Sequence, residues 1–159
     1  MTRRFRQCAW LLMSAGLLVA CAGATLLEHP RSAVHAALGD ARARRGLMGL
    51  LMGATALLLV YSPWGRRSGA HFNPATTLTF WRLGKVDGWD AGFYALAQFA
   101  GALAGVGMAA LLLGPPLADP AVRFAVTQPG GRGVPVAFAA EAAMTFVLMT
   151  VVLTVSNRP

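Results

Sequence analysis

Apolar residues in this chain do not alternate with polar ones at strand or surface-helix spacing. They run on in four long blocks. Cys8–Leu27 is 20 residues without a charge, Gly46–Trp64 is 19 without one, and Val134–Val155 is 22 with a single charge, Glu141. Ala91–Ala118 is also uncharged, and Pro115 and Pro116 end its helical part at Gly114. A helix needs about 20 apolar residues to cross the hydrocarbon layer. Backbone groups in lipid must be satisfied within the segment, which selects helices. The pattern predicts an all-α integral membrane bundle, one membrane domain over residues 1–159, with spanning helices at about 8–27, 46–64, 91–114 and 134–155. Its surroundings are the lipid bilayer.

A fifth segment is apolar but too short to cross. Pro74–Trp81 is 8 residues, about 12 Å of helix at 1.5 Å per residue. Its start is well signalled: Asn73 is a good N-cap and Pro74 suits the first helical position. Gly69 and Ala70 let the incoming chain turn tightly. A short helix with a strong start between two spanning helices reads as a re-entrant half-helix over 74–81. Irregular backbone at membrane depth is tolerated only where protein buries it or a wet cavity adjoins it, so this segment predicts such a cavity. The first N–H groups of a half-helix have no internal partner and carry about half a positive charge. Placed mid-membrane, that end disfavours cations and protons. The Asn73 amide has two protons to donate, suited to water or a small neutral hydroxylic solute.

Composition and charge narrow the classes further. Apolar residues make up 56% and charged residues only 13%, which excludes a disordered chain and argues against a soluble enzyme. The net charge of +8 comes from short basic clusters between apolar runs, not from a basic face with stacking aromatics, so no nucleic-acid partner is read. With the N-terminus inside, Arg3, Arg4, Arg6, Arg66, Arg67, Arg82, Lys85 and Arg158 lie on the inner side. Arg31, Arg42, Arg44, Arg45, Arg123 and Arg132 lie outside, a weak bias for a cytoplasmic N-terminus in a cell membrane. The start imitates a lipoprotein signal peptide ending at Cys21, but the apolar run continues to Leu27, long enough to span. His29 and His35 share a loop without a Cys or carboxylate at ligand spacing, so no metal is read. Glu141 is the only carboxylate in a spanning segment and no nucleophile–base set accompanies it, so the chain reads as no enzyme and implies no cofactor.

Several residues read as support. Gly49 and Gly53, and Gly101 and Gly105, form GxxxG pairs that let helix backbones approach in lipid. Gln98 has the chemistry to bond across helices or to stabilise a loop. Glu141 is costly inside a membrane and should face protein or water; its expected task is to hold loop backbone N–H groups.

The string Ser68-Gly69-Ala70-His71-Phe72-Asn73-Pro74-Ala75-Thr76-Thr77-Leu78-Thr79 resembles the first Asn-Pro-Ala box of the aquaporin and glycerol-facilitator family (major intrinsic proteins). Ala97-Gln98-Phe99-Ala100-Gly101-Ala102-Leu103-Ala104-Gly105 is similar to that family's third helix, and Glu141 with Thr145-Phe146 to the start of its fourth. The resemblance implies six spanning helices and two half-helices in two inverted repeats, forming a passive channel for water or small neutral solutes that excludes protons, assembled as a homo-oligomer (a tetramer). It makes Asn73 the pore-facing donor and packs Pro74 and Ala75 against the opposite box. It sets His71 on the pore-lining loop, lending its carbonyl or ring. The second Asn-Pro-Ala box has no counterpart before Pro159. The expectation is therefore a truncated family member, the alternative being a non-conducting membrane remnant that only packs with other subunits.

Overall fold

The computed structural model describes residues 3–156, with side chains from Ala9 to Val155. Arg158, and the side chains of Arg3, Arg4, Arg6, Gln7 and Cys8, lie outside the described residues. The chain divides into two compact units, Met1–Ala125 and Val126–Pro159.

The first unit holds α1 (Arg3–Glu28), α2 (Ala33–Ala37), α3 (Ala41–Tyr61), α4 (Pro63–Ser68), α5 (Pro74–Arg82) and α6 (Gly88–Leu113), followed by single 3-10 turns at Pro115–Ala118 and Arg123–Ala125. The second holds α7 (Val134–Ser156). Four helices are long and apolar enough to cross a membrane: α1 over Ala9–Glu28, α3, α6 and α7 over Val134–Val155. Their apolar side chains stand largely exposed, with Leu58 at 74%, Leu103 at 76% and Phe138 at 74%. Such a surface is unfavourable in water and suits lipid.

Both boundaries of the second long helix differ from the sequence expectation. The second long helix begins at Ala41, not near 46, because the Asp40 carboxylate caps it by accepting from the Arg42 N–H at 3.0 Å. Arg42, Arg44 and Arg45 therefore belong to its first turns. Arg44 folds back, donating to the carbonyls of Leu38 at 2.8 Å and Gly39 at 3.2 Å and pairing with Glu28 at 3.3 Å. The same helix stops at Tyr61, not Trp64. Pro63 disfavours a helical Ser62, and Ser62 is extended and caps a new short helix, accepting from the Gly65 N–H at 3.0 Å. That helix, α4, doubles back onto the end of α3. A Cβ on Gly65 would run into the Leu59 carbonyl and stand 2.7 Å from that of Val60.

Two pairings give the first unit its direction. Gly101 of α6 lies on the backbone of Trp10, and Gly105 four residues on lies on that of Ser14, four residues on in α1. The two helices are thus parallel and nearly in backbone contact. Ser14 Oγ shares its proton between the Trp10 carbonyl of its own helix, at 2.8 Å, and the Gly101 carbonyl across this seam, at 2.9 Å. α3 runs the other way: Gly16 of α1 faces Leu59, and Gly23 faces Met48 and Leu51. α3 is therefore antiparallel to α6 as well, with Leu59 abreast of Gly16 and so of the part of α6 just beyond Gly105. Gly49 and Gly53 meet nothing within 4 Å; among the described residues that GxxxG pair forms no close helix contact. Gly23 takes that part on the α1–α3 side.

Candidate functional site

The chain from α4 to α5 follows α6 inward and then returns. Gly69 (φ +71°) and Ala70 (φ +52°) are both left-handed and turn the chain out of α4. Just before them the Ser68 carbonyl accepts from the Tyr94 hydroxyl at 2.9 Å. Just after them the His71 carbonyl accepts from Gln98 Nε2 at 2.6 Å. Tyr94 and Gln98 are one turn apart on α6, so the segment advances along it. Gln98 is ten residues from Gly88, about 15 Å along a 26-residue helix of about 39 Å. α5 then runs back, nine residues and about 14 Å, until the Trp81 indole reaches Gly88 at the start of α6. The segment is a re-entrant hairpin whose tip, Phe72-Asn73, lies level with the middle of a spanning helix.

The tip is held by a compact polar knot. Asn73 Oδ1 accepts from the Ala75 N–H at 2.8 Å, capping α5. This leaves the exposed Asn73 Nδ2 with its protons directed away from the cap. Gln98 Nε2 also donates to Thr77 Oγ1 at 3.2 Å. Thr77 Oγ1 also lies within hydrogen-bonding distance of His71 Nδ1, at 3.3 Å, and of the Asn73 carbonyl oxygen, at 3.5 Å. The ring is stacked on Phe80 (centroids 5.0 Å, 13°) and tilted against Tyr94 (5.3 Å). Gln98 Oε1 is buried without a hydrogen-bond partner among the described residues.

Asn73 and Ala75 are exposed at the hairpin's edge. Pro74 lines, with Thr77, Leu78 and Trp81, an apolar groove of about 360 Å³ against Gly88, Ala91, Gly92 and Ala95. The His71 ring is buried between two aromatics and the His71 carbonyl is taken up by Gln98, so within this unit it builds the tip and does not present its ring to a cavity. Gln98, between its two alternatives, does both: it bonds across to the loop and thereby fixes it. Glu141 is exposed in the second unit and lines a groove with Thr127, Gln128 and Pro129. Its carboxylate makes no hydrogen bond among the described residues.

Tyr94 and Thr77 were missed in the sequence. Both had a signal. Tyr94 is four residues before Gln98, and Thr77 four after Asn73, each on the same helix face as a residue already singled out.

The sequence model of the family described as "Major intrinsic protein" matches residues 4–159. The chain belongs to that family. It is an integral membrane protein, as its four long apolar helices require. The chain is 36% identical over 103 residues to "Probable aquaporin AqpM" of Archaeoglobus fulgidus, covering 65% of this chain and 42% of the relative. It is 44% identical over 62 residues to "Aquaglyceroporin AqpS" of Rhizobium meliloti, 38% of this chain and 27% of the relative. It is 41% identical over 101 residues to "Aquaporin NIP1-3" of Oryza sativa subsp. japonica, 63% of this chain and 33% of the relative. The chain thus spans less than half the length of these curated relatives. No solved structure matches it significantly.

Proposed function

We propose that this major intrinsic protein forms one wall of a passive pore for water or a small neutral solute. Asn73 is the donor at its midpoint. The carrying observation is the re-entrant path: Ser68 to Tyr94, His71 to Gln98, and Trp81 back to Gly88. It sets the amino end of α5 level with the middle of α6. The unpaired N–H groups and partial positive charge there repel cations and protons, while the free Asn73 amide offers hydrogen bonds to a passing oxygen. Asn73 and Ala75 are exposed at the edge of the first unit, so the facing wall is a second surface, from a further segment or another copy. We place the protein in a cell membrane with its N-terminus cytoplasmic, in a homo-oligomer of the tetrameric kind.

The test is the osmotic response of vesicles containing the protein. Asn73→Asp keeps a good N-cap but replaces the donor amide by an acceptor-only anion. The wild type should shrink faster than protein-free vesicles under an osmotic step, and Asn73→Asp should lose most of that increment. Wild-type rates equal to the empty vesicles, or an unaffected variant, would overturn the proposal for this chain.

A further inference from the structure

α1 and α6 are parallel, so the chain leaving each of them emerges at the same end of the first unit. There Asp119 Oδ2 stands 3.8 Å from Nε2 of His29, the residue after α1. Residues 119–125 then turn back along the helices. The Phe124 carbonyl reaches Cys21 Sγ at 3.9 Å, seven residues and about 10 Å short of Glu28 along α1. Val122 is buried with Cys21, Ala24, Ala109 and Leu117. The segment straps the ends of the two helices, and neither the hairpin nor its polar knot uses it.

This strap is strained. Arg123 (φ +47°), Phe124 (φ +54°) and Ala125 (φ +58°) are three consecutive non-glycine residues in the left-handed region. Residues with a Cβ visit that region singly, because the Cβ crowds the following carbonyl oxygen. Among the described residues one other non-glycine is left-handed, Ala70, at the turn into the re-entrant hairpin. Strain of this kind gathers in clamps and switch segments and persists only where the surroundings hold it. Here they hold it lightly. The N–H groups of Ala121, Val122, Arg123 and Ala125 donate to Asp119 and Val122, and Arg123 Nε donates to the Pro120 carbonyl at 2.6 Å, all within the strap. The thiol contact to the Phe124 carbonyl is weak, and the gap from His29 to Asp119 exceeds hydrogen-bond length. Val122 is thus the fastening that the strain works against. A segment bonded within itself lifts without breaking its own hydrogen bonds, the profile of a low-cost local opening.

We propose that residues 119–125 are a spring-loaded strap. The left-handed turn drives it off the ends of α1 and α6, Val122 holds it down, and its opening uncovers the crevice at Cys21 while the helices stay folded. The inference stands whether or not the protein conducts.

Cys21, fully buried beneath the strap, is the reporter, in a background of Cys8→Ala. A small charged methanethiosulfonate should modify it well below the melting temperature of the protein. Position 124 separates strain from packing, since Phe124→Gly, Phe124→Ala and Phe124→Val all remove the same ring. Relative to Phe124→Ala, Phe124→Gly should slow the modification about fivefold by relieving the left-handed strain, and Phe124→Val, whose branched Cβ suits that region worst, should speed it about fivefold. Glycine also loosens the opened strap, which by itself would speed the reaction, so slowing is the mark of strain. Val122→Ala, which removes the fastening, should speed it too. In hydrogen exchange, the amides of Val122, Arg123 and Ala125 should exchange faster than those in the middle of α6, and more slowly in Phe124→Gly than in Phe124→Ala. Equal rates in the three variants at 124, the reverse order, a Cys21 that reacts only as the whole protein melts, or strap amides as slow as those of α6 would each overturn the proposal. The exchange measurement on the unsubstituted chain decides the matter even if Phe124→Val does not fold.

Discussion

Gly101→Ala should open the seam on which the re-entrant hairpin is built. A Cβ at Gly101 would stand 2.7 Å from Trp10 Cα and 2.9 Å from its carbonyl carbon, and nearer still to the carbonyl oxygen. Ordinary contact begins near 3.4 Å, so α1 has to retreat by at least about 0.7 Å, and these neighbours are backbone that cannot swing aside. Overpacking of this kind costs about 1–3 kcal/mol. The same retreat stretches the 2.9 Å branch from Ser14 Oγ to the Gly101 carbonyl and leaves the proton to the Trp10 carbonyl at 2.8 Å, a further loss of about 0.5 kcal/mol, the low end for a hydrogen bond. The total is roughly 1.5–3.5 kcal/mol. Gly107→Ala is the matched control. It lies on the same helix with nothing within 4 Å, and alanine there should be neutral or add up to about 1 kcal/mol through helix propensity. Thermal unfolding in one detergent compares the two. At about 2–4 °C per kcal/mol for a chain of this size, Gly101→Ala should melt on the order of 10 °C below Gly107→Ala. Equal melting temperatures would refute the parallel close packing of α1 and α6.

Three further perturbations probe the hairpin. Gln98→Leu leaves the His71 carbonyl without its 2.6 Å donor but also removes the orphaned Oε1; the net loss should be about 1–2 kcal/mol, while Gln98→Glu, which sets an acceptor against that carbonyl, should be worse in the same melting assay. Tyr94→Phe removes the single bond to Ser68 and should cost about 1 kcal/mol. It should also loosen α4, read as faster amide exchange at residues 68–71. Gly65→Ala forces α4 off the end of α3 and should destabilise by roughly 1–3 kcal/mol; a neutral result would show that α4 does not fold back there.

How much of this was legible in the sequence follows from which physics acts locally. The half-helix start was, because Asn73-Pro74 writes an N-cap and a first helical position into adjacent residues; α5 begins at Pro74 and the Asn73 cap is made. The ends of α6 and α7 fell within a few residues of expectation because Pro, Gly and charge bound them. α4 was hidden: Ser62-Pro63 lies inside an uncharged run, and hydropathy alone cannot separate one long helix from a long helix followed by a short one folded back. The early start of α3 was hidden because its first turns are basic, stabilised by an Asp40 cap and an Arg44 clamp that no hydropathy window sees. The two GxxxG pairs are alike as strings. Only the fold shows that Gly101 and Gly105 meet Trp10 and Ser14 while Gly49 and Gly53 meet open space. The burial of the His71 ring was hidden for the same reason, since Phe80 and Tyr94, which cover it, come from two different helices.

The central claim is that the tip of the hairpin sits at mid-membrane depth against water. The direct measurement is the reaction of an anionic, membrane-impermeant methanethiosulfonate with single cysteines in vesicles, in a background of Cys8→Ala and Cys21→Ala. Asn73→Cys should react at a rate of the same order as Trp89→Cys, 84% exposed at the start of α6. Leu103→Cys, at an exposed apolar position about 8 Å along α6 from Gln98, should stay unmodified. An Asn73→Cys thiol as inert as that at position 103 would contradict the account.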